Sequence, residues 1–257
     1  MLAITSYPAT APDPSLPDLL IVHGLFGSAR NWGVIARHLA DVRTVHVVDM
    51  RNHGQSPRAT TQSYADMAGD LAEVIAALGA PMDVLGHSMG GKAAMQLALT
   101  RPELVRKLVV ADIAPVAYSH DQTQYIEAMR GLDLNGLTAR SEADRRLSAT
   151  ISDPALRAFF LQSLDLKAQP PVWRLNLDVL EDQMPLIVGW PATEGEFDGH
   201  TLFLAGALSH YVKSEYRDTI RSLFPKSHFA KLPAAGHWLH AERPREFEQA
   251  VQVFLDA

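Results

Sequence analysis

Two glycines bracket a serine in Gly86-His87-Ser88-Met89-Gly90, and the chain's 11 histidines are candidates to take its proton. A hydroxyl coupled to an imidazole and a carboxylate can attack a carbonyl carbon, hold the acyl group and pass it to water. Cysteine is absent, so thiol nucleophiles, thiolate metal sites and disulfides are excluded. No H-E-x-x-H occurs, and Gly90-Gly91-Lys92 lacks the spacing of a phosphate-binding loop, so neither a metal nor a nucleotide site is expected. Lys92 reads as a first-turn helix residue.

These side chains need a scaffold, and the first 117 residues provide alternating strand and helix patterns. Leu19 to Val22 is a short apolar run, Trp32 to Leu39 carries apolar residues at helical spacing, and Thr44 to Val48 is β-branched. Tyr64 to Leu78 is a helix opened by Ser63 as N-cap, and Met82 to Leu85 is a strand. A helix from Gly90 to Thr100 and a strand from Leu108 to Ala111 follow. Strands joined by helices of this length imply right-handed crossovers and a mostly parallel sheet covered on both faces, with the ligand crevice at the strands' carboxyl ends. Ser88, Asp112 and the loop after Val22 all fall at such ends.

From 118 to 190 the strand signal gives way to helical pieces: Gln122 to Met129, Thr138 to Ala149, Pro154 to Leu164 and Leu177 to Ile187. We read one domain, 1–257, in which a helical lid at 118–190 is inserted between core segments 1–117 and 191–257, over the crevice. The alternation resumes with Thr201 to Leu204, Glu215 to Leu223, Phe229 to Leu232 and a last helix from Pro244 to Leu255.

A G-x-S-x-G turn between a strand and a helix resembles the nucleophile elbow of the α/β-hydrolase fold, where Ser, acid and His follow in that order. His237, in Gly236-His237-Trp238 after the last strand, fits the base. His240 is expected at the surface or a helix start, His87 as a packing or elbow-bracing residue, and His53 as a loop-stabilising residue or a neighbour of the site. The acid is usually carried after the strand read here as Thr201 to Leu204, but Gly206-Ala207-Leu208-Ser209 offers no carboxylate. Asp112, ending the preceding core strand, is the choice, with Asp178, Asp182 and Asp198 as rivals. Two preorganised N–H groups must face the developing oxyanion; Leu25, in His23-Gly24-Leu25-Phe26-Gly27, and Met89 are assigned to it.

Five blocks together are similar to the YbfF-like bacterial esterases and their mitochondrial abhydrolase-domain relatives. They are His23 to Ser28, Asp49-Met50-Arg51-Asn52-His53-Gly54-Gln55-Ser56-Pro57, Gly86 to Lys92, Asp112-Ile113-Ala114-Pro115 and Gly236 to Glu242. The resemblance implies a cofactor-free carboxylesterase with a four-helix lid and Ser-Asp-His machinery. Alternatives on the same scaffold are an acyl thioesterase, a C–C hydrolase, a perhydrolase or a non-enzymatic ligand-binding relative. Arg30, Arg51 and Arg58 are candidates to meet a substrate phosphate, or else plain surface charges.

Phe26, Tyr118, Phe159, Trp190, Tyr211 and Trp238 are expected to line an apolar pocket for a small ester. The 257 residues, 47% hydrophobic and 20% charged, suffice for one core. A formal net charge of -6 with no basic run argues against nucleic acid. No apolar run reaches membrane-span length, and the first residues lack a signal-peptide pattern, so a cytoplasmic protein is expected. Oligomeric state is not legible.

Overall fold

The computed structural model describes residues 1–79, 81–119 and 121–257. Its first half alternates β1 (Ala3–Tyr7), β2 (Leu19–Val22), α1 (Gly33–Leu39), β3 (Val45–Asp49), α2 (Tyr64–Leu78), β4 (Met82–His87), α3 (Met89–Thr100) and β5 (Val105–Ala111). After an insertion the core resumes with β8 (His200–Gly206), α9 (Arg217–Leu223), β9 (Ser227–Leu232), α10 (Leu239–Glu242) and α11 (Pro244–Asp256). The insertion holds α4 (Thr123–Arg130), α5 (Arg140–Leu147), α6 (Pro154–Leu161), β6 (Leu164–Asp165), β7 (Val172–Trp173), α7 (Leu177–Asp182) and α8 (Met184–Val188).

Seven strands form one sheet in the order β1-β3-β2-β4-β5-β8-β9. Every neighbouring pair is parallel except β1 with β3. The inner strands are buried at nearly every position because both faces are covered. Leu20, Val22, Val84 and Val110 meet α2 and α3 through Met67, Leu71 and Met95. Leu19, Ile21, Val45 and Leu85 meet α1 and α11 through Ile35, Phe247 and Val251.

The expected α/β architecture is therefore present, with four local differences. β1 has no apolar alternation strong enough to announce it, and it pairs only along one edge. β5 starts at Val105, earlier than the apolar run at Leu108, because Arg106 and Lys107 sit in the strand beside charged and carbonyl partners. The insertion contains the antiparallel β6–β7 pair as well as helices. The stretch Leu177 to Ile187 divides into α7 and α8, with Pro185 in the first turn of α8, where a missing N–H is tolerated.

Close backbone packing fixes where α3 begins. A Cβ on Gly90 would lie 2.4 Å from the carbonyl oxygens of Val22 and His23, and one on Gly86 would lie 2.3 Å from Gly90 O. Only glycine lets the start of α3 rest on the end of β2. Gly90→Ala should destabilise the chain by roughly 3 kcal/mol, through overpacking that backbone cannot relieve. Gly69→Ala, in α2 where a new Cβ meets nothing within 4 Å, should stabilise it by about 1 kcal/mol. Urea unfolding of the two variants reads these opposite signs, and equal midpoints would refute the packing argument.

Candidate active site

The elbow at the end of β4 holds Ser88 at φ 53°, ψ −121°, a left-handed backbone that a non-glycine residue adopts only when its surroundings impose it. Its N–H donates to Ala111 O at 3.1 Å and its carbonyl accepts from Lys92 N–H at 3.0 Å, so strand and helix clamp it from both sides. The hydroxyl projects into a cavity and lies 3.0 Å from His237 Nε2.

Asp112 follows β5 in the same unusual conformation, at φ 53°, and its N–H donates to Leu204 O at 2.9 Å. The residue is 0% exposed. A carboxylate so placed needs its lone pairs filled. Gly206 N–H donates to Oδ1 at 3.0 Å, while Ser209 Oγ at 2.5 Å and His237 Nδ1 at 2.8 Å both reach Oδ2. The position after β8 that lacks a carboxylate in the sequence thus supplies a hydroxyl donor to the carboxylate that replaces it.

The rival acids lie elsewhere. Asp178 pairs with Arg130 at 2.8 Å, Asp182 accepts from Gln183 at 2.7 Å, and Asp198 pairs with Lys226 at 3.3 Å.

With Nδ1–H given to Asp112, His237 is left with Nε2 as an acceptor facing the Ser88 hydroxyl. Three contacts hold its loop. Gly236 N–H donates to Glu242 Oε2 at 2.7 Å, His87 Nε2 donates to His237 O at 2.9 Å, and the Tyr211 ring stacks on the imidazole at 4.1 Å. His87 therefore braces the histidine loop from beside the elbow.

His240 stands at a helix start, in the first turn of α10, and not at the surface. It is buried, stacked on Trp32 with ring centroids 4.3 Å apart, and it forms part of the cavity wall. The short α10 turns the chain so that residue 240 points back under the indole. Burial pushes its pKa down to about 3, and its Nδ1 has no hydrogen-bond partner among the described residues.

Two further neutral histidines shape the loop after β2. His23 Nδ1 donates to Gly24 O at 2.8 Å and its Nε2 accepts from Met50 N–H at 2.9 Å. His53 Nδ1 donates to Arg51 O at 2.8 Å and its Nε2 accepts from Phe26 N–H at 3.1 Å. Ser163 Oγ donates to Phe26 O at 3.0 Å, so Phe26, at φ 64°, is pinned through both of its peptide groups. Asp49 completes the brace by accepting from Ala29 N–H and Gln55 N–H, each at 2.7 Å. The Arg-Asn-His-Gly block thus acts on the loop that carries Leu25. Burial lowers the pKa of His23 to about 4 and of His53 to about 3, repulsion between the two imidazoles when protonated adding to the shift at His53.

The cavity has a volume of about 330 Å³. Phe26, Tyr118, Phe159, Tyr211 and Trp238 line it, and so do Leu25, Met89 and Lys92. Trp190 does not line it. Its ring packs beside Tyr64 at 6.2 Å, because the chain has already turned back toward the core after α8. Lys92 lies in the first turn of α3, as read, and is buried there, with burial lowering its pKa to about 7.

Of the three arginines weighed for a phosphate, Arg51 is bound to Asp70 at 2.6 Å and Arg58 donates to Trp173 O at 3.3 Å. Arg30 is exposed and lines a separate surface cleft. No group of three or more His, Asp or Glu side chains able to hold a metal occurs among the described residues. No helix among them is long and apolar enough to cross a membrane.

Buried neutral histidines make stability depend on pH. Between about pH 6.5, where unfolded histidine titrates, and about pH 4, the unfolded chain binds protons that His23, His53 and His240 refuse. Stability is therefore full above this window and falls as pH falls through it, by up to roughly 1.4 kcal/mol per pH unit for each imidazole. His240→Phe, which keeps the stacking on Trp32, should make this slope shallower by about that amount. Urea unfolding at a series of pH values measures it, and parallel slopes in variant and wild type would contradict a neutral His240.

Comparison with known proteins places these features in a family. A model of the α/β hydrolase fold matches residues 17–244. The chain is 39% identical over 259 residues to the sn-1-specific diacylglycerol lipase ABHD11 of Mus musculus, covering 97% of this chain and 84% of the relative. It is 37% identical over 242 residues to esterase YbfF of Escherichia coli K12, covering 93% and 92%. The solved structure of a marine microorganism esterase superposes with a TM-score of 0.92 at 35% identity, covering 98% of each chain. Sheet order, elbow and sequence kinship agree: the chain belongs to the α/β-hydrolase family, among its esterase and lipase members.

Proposed function

We propose that this serine-type ester hydrolase cleaves small carboxylic esters through an acyl-enzyme on Ser88, with His237 as base and Asp112 as its partner acid. The observation that carries the reading is the continuous relay from Asp112 Oδ2 to His237 Nδ1 at 2.8 Å and from His237 Nε2 to Ser88 Oγ at 3.0 Å. The esterase and lipase names of the relatives support the same chemistry.

In the first step His237 Nε2 takes the hydroxyl proton as Ser88 Oγ bonds to the ester carbonyl carbon. The carbonyl electrons move to oxygen, where the N–H groups of Leu25 and Met89 receive the negative charge. Met89 is the first residue of α3, so its N–H is one of the donors that an α-helix cannot satisfy internally. Each such donor is worth on the order of 3 kcal/mol in the transition state. The carbon–oxygen bond to the alcohol then breaks as His237 returns its proton to the leaving oxygen. Water repeats the sequence on the acyl-enzyme, giving the carboxylic acid and restoring the Ser88 hydroxyl. Asp112 holds the imidazole in the tautomer with Nδ1 protonated and stabilises the imidazolium. The insertion at 118–190 serves as a lid that excludes bulk water.

Ser88→Ala should abolish turnover of p-nitrophenyl esters and labelling by a fluorophosphonate probe while leaving the circular dichroism spectrum unchanged. Residual labelling would move the nucleophile elsewhere. Asp112→Asn should lower kcat on the order of 10⁴-fold by favouring the wrong imidazole tautomer. Ser209→Ala, which removes one donor to Oδ2 and keeps the charge, should lower kcat by roughly tenfold. If Ser209→Ala were as inactive as Asp112→Asn, the assignment of the acid would fail. Running acyl-coenzyme A substrates beside the p-nitrophenyl esters separates an ester preference from a thioester preference.

A further inference from the structure

The inserted segment returns to the core through α8, and its last carbonyls are held by the core itself. Tyr64 Oη, at the start of α2, donates to Ile187 O at 2.5 Å. Lys92 Nζ, in the first turn of α3, donates to Val188 O at 3.0 Å and to Gly189 O at 2.5 Å. Tyr118 N–H, where the insertion leaves the core, donates to Val188 O at 3.0 Å. A helix ends with carbonyls that have no intrahelical partner, and here three successive ones are taken by groups outside the insertion's own helices.

Lys92 is an expensive way to achieve this. The residue is 1% exposed and no carboxylate lies within salt-bridge distance of it among the described residues. Its ammonium sits 4.7 Å from the Tyr118 ring centroid and 5.6 Å from that of Tyr64, so aromatic faces stand in for a counter-ion. Burying an unpaired charge costs free energy that a methionine of similar length would not. The depressed pKa of about 7 records that cost. What the ammonium adds over methionine is a bond from the helix that follows Ser88 to the backbone at the end of α8. Ile187 and Val188 form part of the cavity wall, as do Tyr64, Lys92 and Tyr118.

We propose that Lys92, assisted by Tyr64, is a clasp that fixes the α8 end of the insertion against the nucleophile helix and thereby sets how long a substrate chain the cavity admits. It is a positioning residue that determines specificity through the Ile187–Val188 wall. The proposal rests on the reading of Ser88 as nucleophile only insofar as chain length is read through turnover.

Lys92→Met keeps the side chain's bulk and removes the donors. Across p-nitrophenyl esters from acetate to decanoate, the ratio of kcat/KM for long over short chains should change by roughly tenfold or more, carried mainly by KM. Amide hydrogen exchange over residues 184–190 should quicken by roughly tenfold relative to wild type. A wild-type chain-length profile would overturn the proposal, and so would a uniform loss of kcat at every length with unchanged exchange. Should Lys92→Met fail to fold, Tyr64→Phe removes only the hydroxyl on Ile187 O and carries the same two readouts, with a smaller shift expected in each. Exchange is measured without substrate, so an inert wild type would refute the hydrolase reading while leaving the clasp testable.

Discussion

A carboxylate with no solvent exposure sits at the end of β5, and the site is arranged around what that carboxylate requires. An anion at that depth is tolerable only with its oxygens filled by donors. The donors to Asp112 come from the last residue of β8, the loop after it and the loop after β9. Satisfying one side chain therefore draws the carboxyl ends of three strands to a common point. Ser88, at the end of the neighbouring β4, is within reach of the same imidazole because β4 and β5 run parallel in register from Val84 to His87. The left-handed conformations of Ser88 and Asp112 are the local cost of aiming both side chains into one crevice.

Around this centre the buried histidines serve as hydrogen-bonding parts of the frame. His23, His53 and His87 each link a loop at the site to a backbone group elsewhere, and burial keeps them neutral. A neutral imidazole donates at one nitrogen and accepts at the other, which suits it to joining two backbone segments that neither strand nor helix pairing connects. The Asp49 to Pro57 block belongs to this frame. Asp49 and His53 hold the loop after β2, and with it the geometry of the Leu25 peptide, from a distance of many residues in sequence.

The insertion closes the remaining side of the cavity and is attached to the core at defined points. Ser163 bonds to Phe26 O, Asn31 bonds to Gln162, and Tyr64 and Lys92 hold the carbonyls beyond α8. Each of these bonds lies beside a residue that lines the cavity. Pocket shape is thus coupled to the seating of the insertion, in keeping with close-packed interiors, where a wall moves as a unit.

The sequence by itself determined the order and kind of the chemical parts. A glycine-flanked serine between a strand and a helix is a local signal, since backbone conformation at an elbow depends on neighbours a few residues away. The missing carboxylate after β8 and the aspartate ending β5 were legible for the same reason, because strand ends follow from short apolar runs. Tertiary structure alone decided what depends on burial and on contacts distant in the chain. His240 was read as a surface or helix-start residue; it does start a helix, yet it lies flat beneath Trp32. Trp190 was read as pocket, yet it packs beside Tyr64. Lys92 was read as an ordinary helix residue, yet it is buried against the end of the insertion, and Ser209, dismissed because it carries no charge, is a donor to Asp112. A residue's type states which bonds it can make, whereas which partner it meets is fixed by how helices and loops far apart in sequence pack over the sheet.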